Sequence, residues 1–211
     1  MENILPLDEI DGLDLQNMTI LEVGTGNGGT TLEILEYIQN EATTRLITTD
    51  LNVVDLNPLL FQFPAMKGRL SFIQTDATEL LSIESNSIDI LVVDYTLCAI
   101  NSIPGKYTDA LSRFKDVLKP NGLLLLEEEF PIGSPPGKDH PLWKMQWQIL
   151  KKMVTLSGKS PNNEIQLEDL KNYVKKLNFS IENEVTGTTS LAFEEVYPHF
   201  LNRFEYLCTF I

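Results

Sequence analysis

Short apolar runs alternate with stretches of helical periodicity through the first part of this sequence, and this alternation constrains the fold more than any other feature. Each apolar run is bounded by Gly, Asp or Asn, as strands commonly are. The last two runs are almost continuously apolar, which is typical of strands buried on both faces of a parallel sheet. The predicted strands are Ile20–Val23, Leu46–Thr49, Leu70–Ile73, Ile88–Val93 and Leu123–Leu126.

Amphipathic helices are predicted between these strands. A strand and a helix that alternate repeatedly form right-handed βαβ units, so the pattern predicts an α/β fold with a parallel sheet and helices on both faces. Lys119-Pro120-Asn121-Gly122 is interpreted as a stop-and-turn signal between the last of these helices and the fifth strand. The helical faces are marked by Leu32, Leu35 and Ile38, and by Leu111, Phe114, Val117 and Leu118.

The pattern changes after the fifth strand. A loop rich in Pro and Gly covers Phe130–Gly137 and is too long for a minimal connection, so the stretch Pro131–Asp139 is a candidate lid over a substrate. We expect one domain over residues 1–211, with residues 130–178 as a lid or substrate-facing insertion. The elements predicted in this region are helices at Pro141–Leu156, Gln166–Leu177 and Leu191–Phe200, and strands at Phe179–Thr186 and Phe204–Ile211.

Composition narrows the possible functions. The 211 residues carry a net charge of −14, which opposes the binding of nucleic acid phosphates, so a nucleic acid partner is disfavoured. No stretch is apolar enough for a membrane span and the N-terminus does not resemble a secretion signal, so we expect no membrane contact and a cytoplasmic location. Cys98 and Cys208 lack both a disulfide framework and metal-ligand spacing.

A glycine-rich turn, Glu22-Val23-Gly24-Thr25-Gly26-Asn27-Gly28-Gly29, joins the first strand to the first helix. Glycines are needed where the backbone approaches a ligand closely or adopts positive φ. The spacing of Gly24, Gly26 and Gly29 also fits a dinucleotide-binding loop, so the turn alone does not distinguish NAD from other adenosine cofactors. A purely structural tight turn is the alternative.

Together with the acidic residues that follow the next strands, this loop resembles the class I methyltransferase family over about Thr19–Glu128. The resemblance implies a Rossmann-like, mostly parallel seven-stranded sheet of order 3-2-1-4-5-7-6 and S-adenosylmethionine as the cofactor. It also implies that Glu22 helps place the methionine end and that Leu51 and Asn52 lie against the adenine. The full set of predicted cofactor residues is Glu22, Gly24, Thr25, Gly26, Asn27, Gly28, Asp50, Leu51, Asn52, Asp76, Ala77, Asp94 and Tyr95.

Two of the acidic residues also have ordinary structural interpretations. Asp50, at the end of the second strand, can accept both ribose hydroxyls of an adenosine, but an Asp there also commonly caps a turn. Asp76 follows the third strand, where family members face the adenine. It also precedes Ala77-Thr78-Glu79, which fits a helix N-cap with Glu79 at the capping-box position.

The fourth strand ends at Asp94-Tyr95-Thr96, which matches the family segment that faces cofactor and acceptor. Tyr95-Thr96 replaces the two prolines that many amino methyltransferases carry there, so that chemistry is disfavoured. A hydroxyl or ammonium acceptor would need a general base. The candidates are Tyr95, Glu128 and His140, with Glu127, Glu129 and His199 also considered; the run of glutamates is equally typical of a solvated strand end.

A pair of tryptophans and a possible metal site are two further features of the sequence. Trp143 and Trp147 are spaced as neighbours on one helical face and are interpreted as a core stripe or as a wall of an acceptor pocket. Some relatives hold a metal with Asp at the fourth strand end and Asp-Asn at the fifth, but the Asp-Asn pair is absent here, so no metal is expected.

The sequence thus predicts a methyltransferase that acts on a small-molecule acceptor. Two alternatives stay open. One is a catalytically inactive methyltransferase-like subunit, although the glycines and the ribose carboxylate are intact. The other is aminopropyl transfer from decarboxylated S-adenosylmethionine, which uses the same cleft.

Overall fold

A computed structural model describes residues 10, 12–129, 131 and 141–185. Within them, the five predicted strands occur in order, and a helix lies between successive strands except between the third and the fourth, which turns connect. The strands are β1 (Thr19–Val23), β2 (Arg45–Asp50), β3 (Leu70–Gln74), β4 (Ile88–Asp94) and β5 (Leu118–Glu127). The helices are α1 (Gly29–Ile38), α2 (Asn57–Gln62), α3 (Leu97–Ile100), α4 (Lys106–Val117), α5 (Pro141–Leu156) and α6 (Leu167–Lys176), with a short 3-10 helix at Pro64–Met66.

The strands form one parallel sheet of order β3-β2-β1-β4-β5. This is the Rossmann-like α/β fold that the sequence predicted, with β1 at the centre. The expected seven-stranded sheet is only partly found. Residues 179–185, which cover most of the predicted sixth strand, form no strand. The predicted helix Leu191–Phe200 and strand Phe204–Ile211 lie outside the described residues.

Helices pack on both faces of the sheet because successive side chains of the central strands point to opposite sides. Ile20 of β1 packs with Ile34 of α1 in one core cluster, whereas its neighbour Leu21 packs in a second cluster with Leu111 and Phe114 of α4. Burial on both faces explains why the sequence of β4 is a nearly continuous apolar run. The same burial was predicted for β5, but only Leu118 and Leu125 of that strand are buried.

The predicted turn before the fifth strand is an irregularity inside that strand. β5 begins at Leu118, directly after α4, and pairs there with Ile88; the pairing resumes with Leu123 opposite Ile90. The intervening segment includes Asn121 at a φ of 64°. The strand therefore bulges between its two paired parts, because five residues of β5 advance while β4 advances two.

The segment between α5 and α6 connects these two helices to the rest of the fold by hydrogen bonds to α3 and the residue after it. The Asn163 amide donates to the Cys98 carbonyl of α3 over 2.9 Å, and Asn101 Nδ2 donates to the Asn163 carbonyl over 3.0 Å. On α5, Trp147 Nε1 and Lys151 Nζ both donate to Glu164, whose side chain is 5% exposed. Trp147 is half-buried and connects α5 to Glu164.

Candidate active site

The glycine-rich turn lies at the carboxyl end of β1, where ligands of open parallel sheets bind. Gly24 and Gly28 have φ values of 89° and 85°, which favour glycine strongly. The amides of Gly24 and Thr25 both donate to the Thr49 carbonyl of β2, over 2.8 and 3.0 Å. The Thr25 hydroxyl also points inward to Thr49, so the turn is fastened to the neighbouring strand.

Asp50 supports the turn from the end of β2. Its Oδ2 accepts a 2.9 Å hydrogen bond from the Gly26 amide, and its Oδ1 accepts a 2.8 Å bond from the Asn52 amide. The carboxylate therefore bonds both to the glycine-rich turn and to the turn that follows β2. The following Leu51 is 66% exposed at the same edge of the sheet, and its carbonyl accepts from Gln74 Nε2.

Asp76 closes a turn after β3. Its Oδ1 accepts from the amide and the hydroxyl of Thr78, over 2.8 and 2.7 Å, and these bonds lower the pKa of its carboxyl group. Ala77 and Glu79 lie within this turn, and no helix follows. The capping-box prediction is therefore wrong, because the chain turns away at Leu80, whose φ is 43°.

Three carboxylates lie at the ends of neighbouring strands: Glu22 near the end of β1, Asp94 at the end of β4 and Glu127 at the end of β5. Glu22 is buried, and Asp94 and Glu127 are half-buried. Asp94 and Glu127 are register partners across β4 and β5. Each of the three has one oxygen that accepts a 2.6 Å hydrogen bond from a hydroxyl: Glu22 from Thr31, Asp94 from Thr30 and Glu127 from Tyr95. Each also has a second oxygen that is buried and has no hydrogen-bond partner.

Burial makes these groups harder to ionise. It raises the pKa of Glu22 to about 7, and the nearby Asp94 and Asp50 add to the effect. Burial is likewise the main cause of the raised pKa of Asp94 and of Glu127, and the Asp94 charge raises the pKa of Glu127 further.

Tyr95 lies beside this cluster and is 45% exposed as a residue. Its φ is 44°, which is unusual for a bulky residue, and the conformation is held by two bonds to Glu127. The Tyr95 amide donates to the Glu127 carbonyl over 3.0 Å, and the phenol donates to Glu127 Oε1. Burial and the neighbouring carboxylates raise the pKa of the Tyr95 phenol.

The three successive glutamates occupy different surroundings. Glu128 Oε1 accepts from the Leu97 amide and Oε2 from the Cys98 amide, so this side chain caps the start of α3. Burial raises the pKa of Glu128 to about 7. Glu129 is half-buried and close enough to raise the pKa values of Tyr95 and Glu128. Glu127 accepts a hydrogen bond from the Tyr95 phenol.

Several predicted features lie outside the described residues, namely His140, His199, the side chain of Trp143 and nearly all of the candidate lid Pro131–Asp139. In the part of the chain that is described, no group of three or more His, Cys, Asp or Glu side chains has the arrangement of a metal site. No helix within the same residues has the length and apolarity to cross a membrane.

The sequence analysis missed Thr30 and Thr31. They follow the glycine run directly, at the start of α1, and their hydroxyls hold Asp94 and Glu22. The sequence shows a pair of threonines after the glycine-rich turn. It does not show which groups their hydroxyls bond to, because those partners are set by the tertiary structure rather than by the local sequence.

The sheet order, the glycine-rich turn and the acidic strand ends are those of a class I methyltransferase, a class that uses S-adenosylmethionine. A family model described as a methyltransferase domain matches residues 4–184. The chain therefore belongs to the methyltransferase domain family, as the resemblance implied.

Two curated relatives and two solved structures agree with this assignment. The methyltransferase calH of Penicillium decumbens is 28% identical over 146 residues, which are 65% of this chain and 37% of calH. The squalestatin hexaketide synthase of a Phoma species is 32% identical over 143 residues, which are 64% of this chain and 5% of that protein. The chain thus spans 37% or less of the length of these two relatives.

The solved structures show the same fold at low identity. The YcgJ protein of Bacillus subtilis has a TM-score of 0.62 and 15% identity, with 97% of this chain and 82% of that chain covered. Phosphoethanolamine N-methyltransferase 2 of Haemonchus contortus, in complex with S-adenosylmethionine, has a TM-score of 0.54 and 21% identity, with 95% and 41% covered.

Proposed function

We propose that this chain transfers the methyl group of S-adenosylmethionine to a small organic molecule bound at the ends of β4 and β5. The observation that carries the proposal is the set of three carboxylates at the carboxyl ends of the strands, Glu22, Asp94 and Glu127, each with one buried oxygen that has no hydrogen-bond partner. Buried polar groups without partners are costly, so their retention favours a ligand that completes them.

The proposed cofactor contacts follow the order of the strands. Asp50 would accept the ribose hydroxyls, while Leu51, Asn52, Asp76 and Ala77 would surround the adenine. The methionine end would lie along the turn from Gly24 through Thr25, Gly26 and Asn27 to Gly28, with Glu22 at the amine and Asp94 and Tyr95 nearer the methyl group. When bound, S-adenosylmethionine supplies a methyl group on a positively charged sulfur, which is already activated for displacement. The residues of the chain then have to align the acceptor and exclude water.

Glu127 and Tyr95 are the groups that we propose for removing a proton from the acceptor. The phenol oxygen can accept the acceptor's proton while the phenol proton passes to Glu127 Oε1, 2.6 Å away. Burial raises the pKa of Glu127, which makes it a better proton acceptor. We place Glu127 in this role rather than Glu128, because the carboxylate of Glu128 is already engaged by the Leu97 and Cys98 amides. His140 lies outside the described residues and is left out of this proposal.

Two observations support a small acceptor. The net charge of −14 disfavours polyanions such as nucleic acids. One relative is named for a hexaketide, a small organic product, although it matches this chain over only 5% of its length. With a base in place, the acceptor would be a nucleophile with a proton to lose, such as a hydroxyl group or an acidic C–H group. Residues 130–178 would cover it.

The proposal is tested by incubating the protein with S-adenosylmethionine labelled in its methyl group and a small-molecule extract, followed by mass analysis of labelled products. We expect label in a small molecule and none in added RNA or DNA. Tyr95→Phe should abolish most of the transfer, and Tyr107→Phe, a tyrosine on α4 that packs on Tyr173 away from the site, should not.

Other outcomes would contradict the proposal in different ways. Cofactor binding without any transfer would indicate the inactive subunit. Transfer of an aminopropyl group from decarboxylated S-adenosylmethionine, with none of the methyl group, would indicate the aminopropyltransferase. Label in nucleic acid would overturn the proposal that the acceptor is a small molecule.

A further inference from the structure

Tyr95 needs support on two sides to keep its backbone conformation. A bulky residue at a φ of 44° is strained, and it stays in that conformation only where its surroundings hold it. On one side the support comes from β5, through the carbonyl and the carboxylate of Glu127. On the other side the Cys98 thiol donates to the Tyr95 carbonyl over 3.6 Å. The position of Cys98 therefore limits how far the Tyr95 carbonyl can turn.

Cys98 is in turn held by three groups from other parts of the chain. Its amide donates to Glu128, its carbonyl accepts from the Asn163 amide over 2.9 Å, and its sulfur accepts from Asn162 Nδ2 over 3.7 Å. Asn101, the residue after α3, is buried and donates to the Asn163 carbonyl over 3.0 Å. The segment between α5 and α6 is thus bonded to both ends of α3.

Glu164 fixes this segment to α5. Its side chain is 5% exposed and accepts hydrogen bonds from Trp147 Nε1 and from Lys151 Nζ. Burying a carboxylate has a desolvation cost that a paired lysine offsets only in part, so such a pair contributes little net stability. The two directional bonds instead define one arrangement of α5 against residues 162–164.

We infer that Glu164 is a positioning residue for Tyr95. It holds residues 162–164 against α3, and these residues hold Cys98. Cys98 then keeps the Tyr95 backbone in the conformation that brings the phenol to Glu127. The functional meaning of this inference rests on the proposed function, in which Tyr95 and Glu127 remove a proton from the acceptor.

Loss of the Glu164 carboxylate should slow methyl transfer more than it weakens cofactor binding. Asp50 and the glycine-rich turn, which supply most of the proposed cofactor contacts, are held by bonds to each other and to β2. A shift of α3 would therefore act first on Tyr95, at the acceptor end of the site.

Hydrogen exchange at the Tyr95 amide tests the positioning directly, because this amide donates to the Glu127 carbonyl. Leu91, in the middle of β4, reports the exchange that results from global unfolding. Glu164→Ala should accelerate exchange at Tyr95 at least about tenfold more than at Leu91, the change expected from the loss of one hydrogen bond to a charged group. Glu164→Gln keeps an oxygen that can accept from Trp147 Nε1 and should restore most of the native ratio.

Two further variants complete the test. Asp89→Asn is the matched control: Asp89 pairs with Lys119 over 2.8 Å, but near the start of β4, at the opposite end of the strand from the site. It should leave the exchange ratio and methyl transfer unchanged. Asn101→Ala removes the bond to residues 162–164 from the side of α3 and should reproduce the effect of Glu164→Ala. It serves as the second variant if Glu164→Ala does not fold.

Methyl transfer at saturating S-adenosylmethionine supplies the functional measurement. Glu164→Ala and Asn101→Ala should lower this rate at least about tenfold and leave the affinity for S-adenosylhomocysteine within about threefold of the native value. Glu164→Gln should retain most of the native rate, as the exchange ratio predicts.

The outcomes separate the inference from the proposed function. Native exchange ratios at Tyr95 in both Glu164→Ala and Asn101→Ala would overturn the inference, whatever the activity of the protein. Faster exchange at Tyr95 with a native rate of methyl transfer would also overturn it, since the position of Tyr95 would then not matter for the reaction. Faster exchange in these variants of a protein that transfers no methyl group would overturn the proposed function and support the positioning of Tyr95 by Glu164.

Discussion

A β-carbon on Gly24 would lie 2.2 Å from the hydroxyl oxygen of Thr96 and 2.6 Å from its methyl carbon. The side chain that follows β4 therefore occupies the space that any larger residue at position 24 would need. The two segments that meet here come from the first and the fourth strand ends, so this contact sets how closely the glycine-rich turn approaches Asp94 and Tyr95.

Gly24→Ala is expected to destabilise the protein by more than its backbone conformation alone explains. Gly68 provides the matched control, since its φ of 81° is close to the 89° of Gly24 and nothing lies within 4 Å of its added β-carbon. Gly68→Ala should lose about 1–2 kcal/mol for the left-handed conformation, and Gly24→Ala about 1–3 kcal/mol more for overpacking. Urea unfolding measures both. Addition of Thr96→Ala should recover part of the loss in Gly24→Ala; equal losses at the two glycines would show that the contact is unimportant.

Glu22→Gln should stabilise the protein without ligand and weaken cofactor binding. The pKa of Glu22 is about 7 in the folded protein against 4.5 when exposed, so the group favours folding below pH 4.5 and loses that contribution as the pH rises through 7. A glutamine does not ionise. The variant should therefore gain up to about 3 kcal/mol over the native protein above pH 7, a gain that disappears in acid.

Chemical unfolding at several pH values checks this expectation, with calorimetry for the affinity. If Glu22 binds the amine of the cofactor in its ionised form, the native affinity should also fall as the pH drops below 7. A variant that is less stable than the native protein at pH 8 would mean that Glu22 is a structural residue.

Asp50→Ala should lower the affinity for S-adenosylhomocysteine at least about tenfold, because each hydrogen bond to a charged group contributes about 1.5–3 kcal/mol. It should also cost about 1 kcal/mol of stability, since Asp50 supports the Gly26 amide. Asp55→Ala is the matched control: Asp55 closes a similar turn with the Asn57 amide, over 2.9 Å, farther along the same loop. Asp55→Ala should lower the stability of the protein but leave its affinity for S-adenosylhomocysteine unchanged. Unchanged affinity in a folded Asp50→Ala variant would remove Asp50 from the ribose site.

Glu128→Ala is expected to destabilise the fold by about 2–3 kcal/mol, because it leaves the Leu97 and Cys98 amides without their acceptor. Glu128→Gln keeps one acceptor oxygen and should lose much less stability than Glu128→Ala. Hydrogen exchange at the two amides reports the change directly, and it should accelerate in the alanine variant. Native-like stability of Glu128→Ala combined with lost methyl transfer would instead make Glu128 the base.

The run Glu127-Glu128-Glu129 shows where sequence reasoning stopped. Three identical side chains at a strand end give no local signal that separates them. Successive residues at the end of a strand point to different sides, and the neighbours on each side come from distant parts of the chain. Glu127 therefore meets the Tyr95 phenol, and Glu128 meets the amides of α3. The sequence points to this group of residues, and the register of β4 against β5 gives each of them different neighbours.

Local chemistry explains what the sequence determined by itself. The apolar runs of β1 and β4, the helical periodicity of α4 and the glycine-rich turn are properties of neighbouring residues, and each element lies where it was predicted. The failures have a shared cause. The stop-and-turn signal at Lys119–Gly122 and the N-cap at Asp76 are also local patterns. Lys119–Gly122 lies inside β5 because that strand pairs with β4 on both sides of it. Asp76 begins a turn, and no helix follows it.

Only the tertiary structure decided the state of the site. Glu22, Asp94 and Glu127 are far apart in the chain, and the order β1-β4-β5 brings them to one edge of the sheet. Hydroxyls of Thr31, Thr30 and Tyr95 then satisfy one oxygen of each and leave the other buried and free, because burial and hydrogen-bond partners depend on how distant segments pack. The sequence determines that these carboxylates are present; packing determines that each has a raised pKa and one buried oxygen without a hydrogen-bond partner.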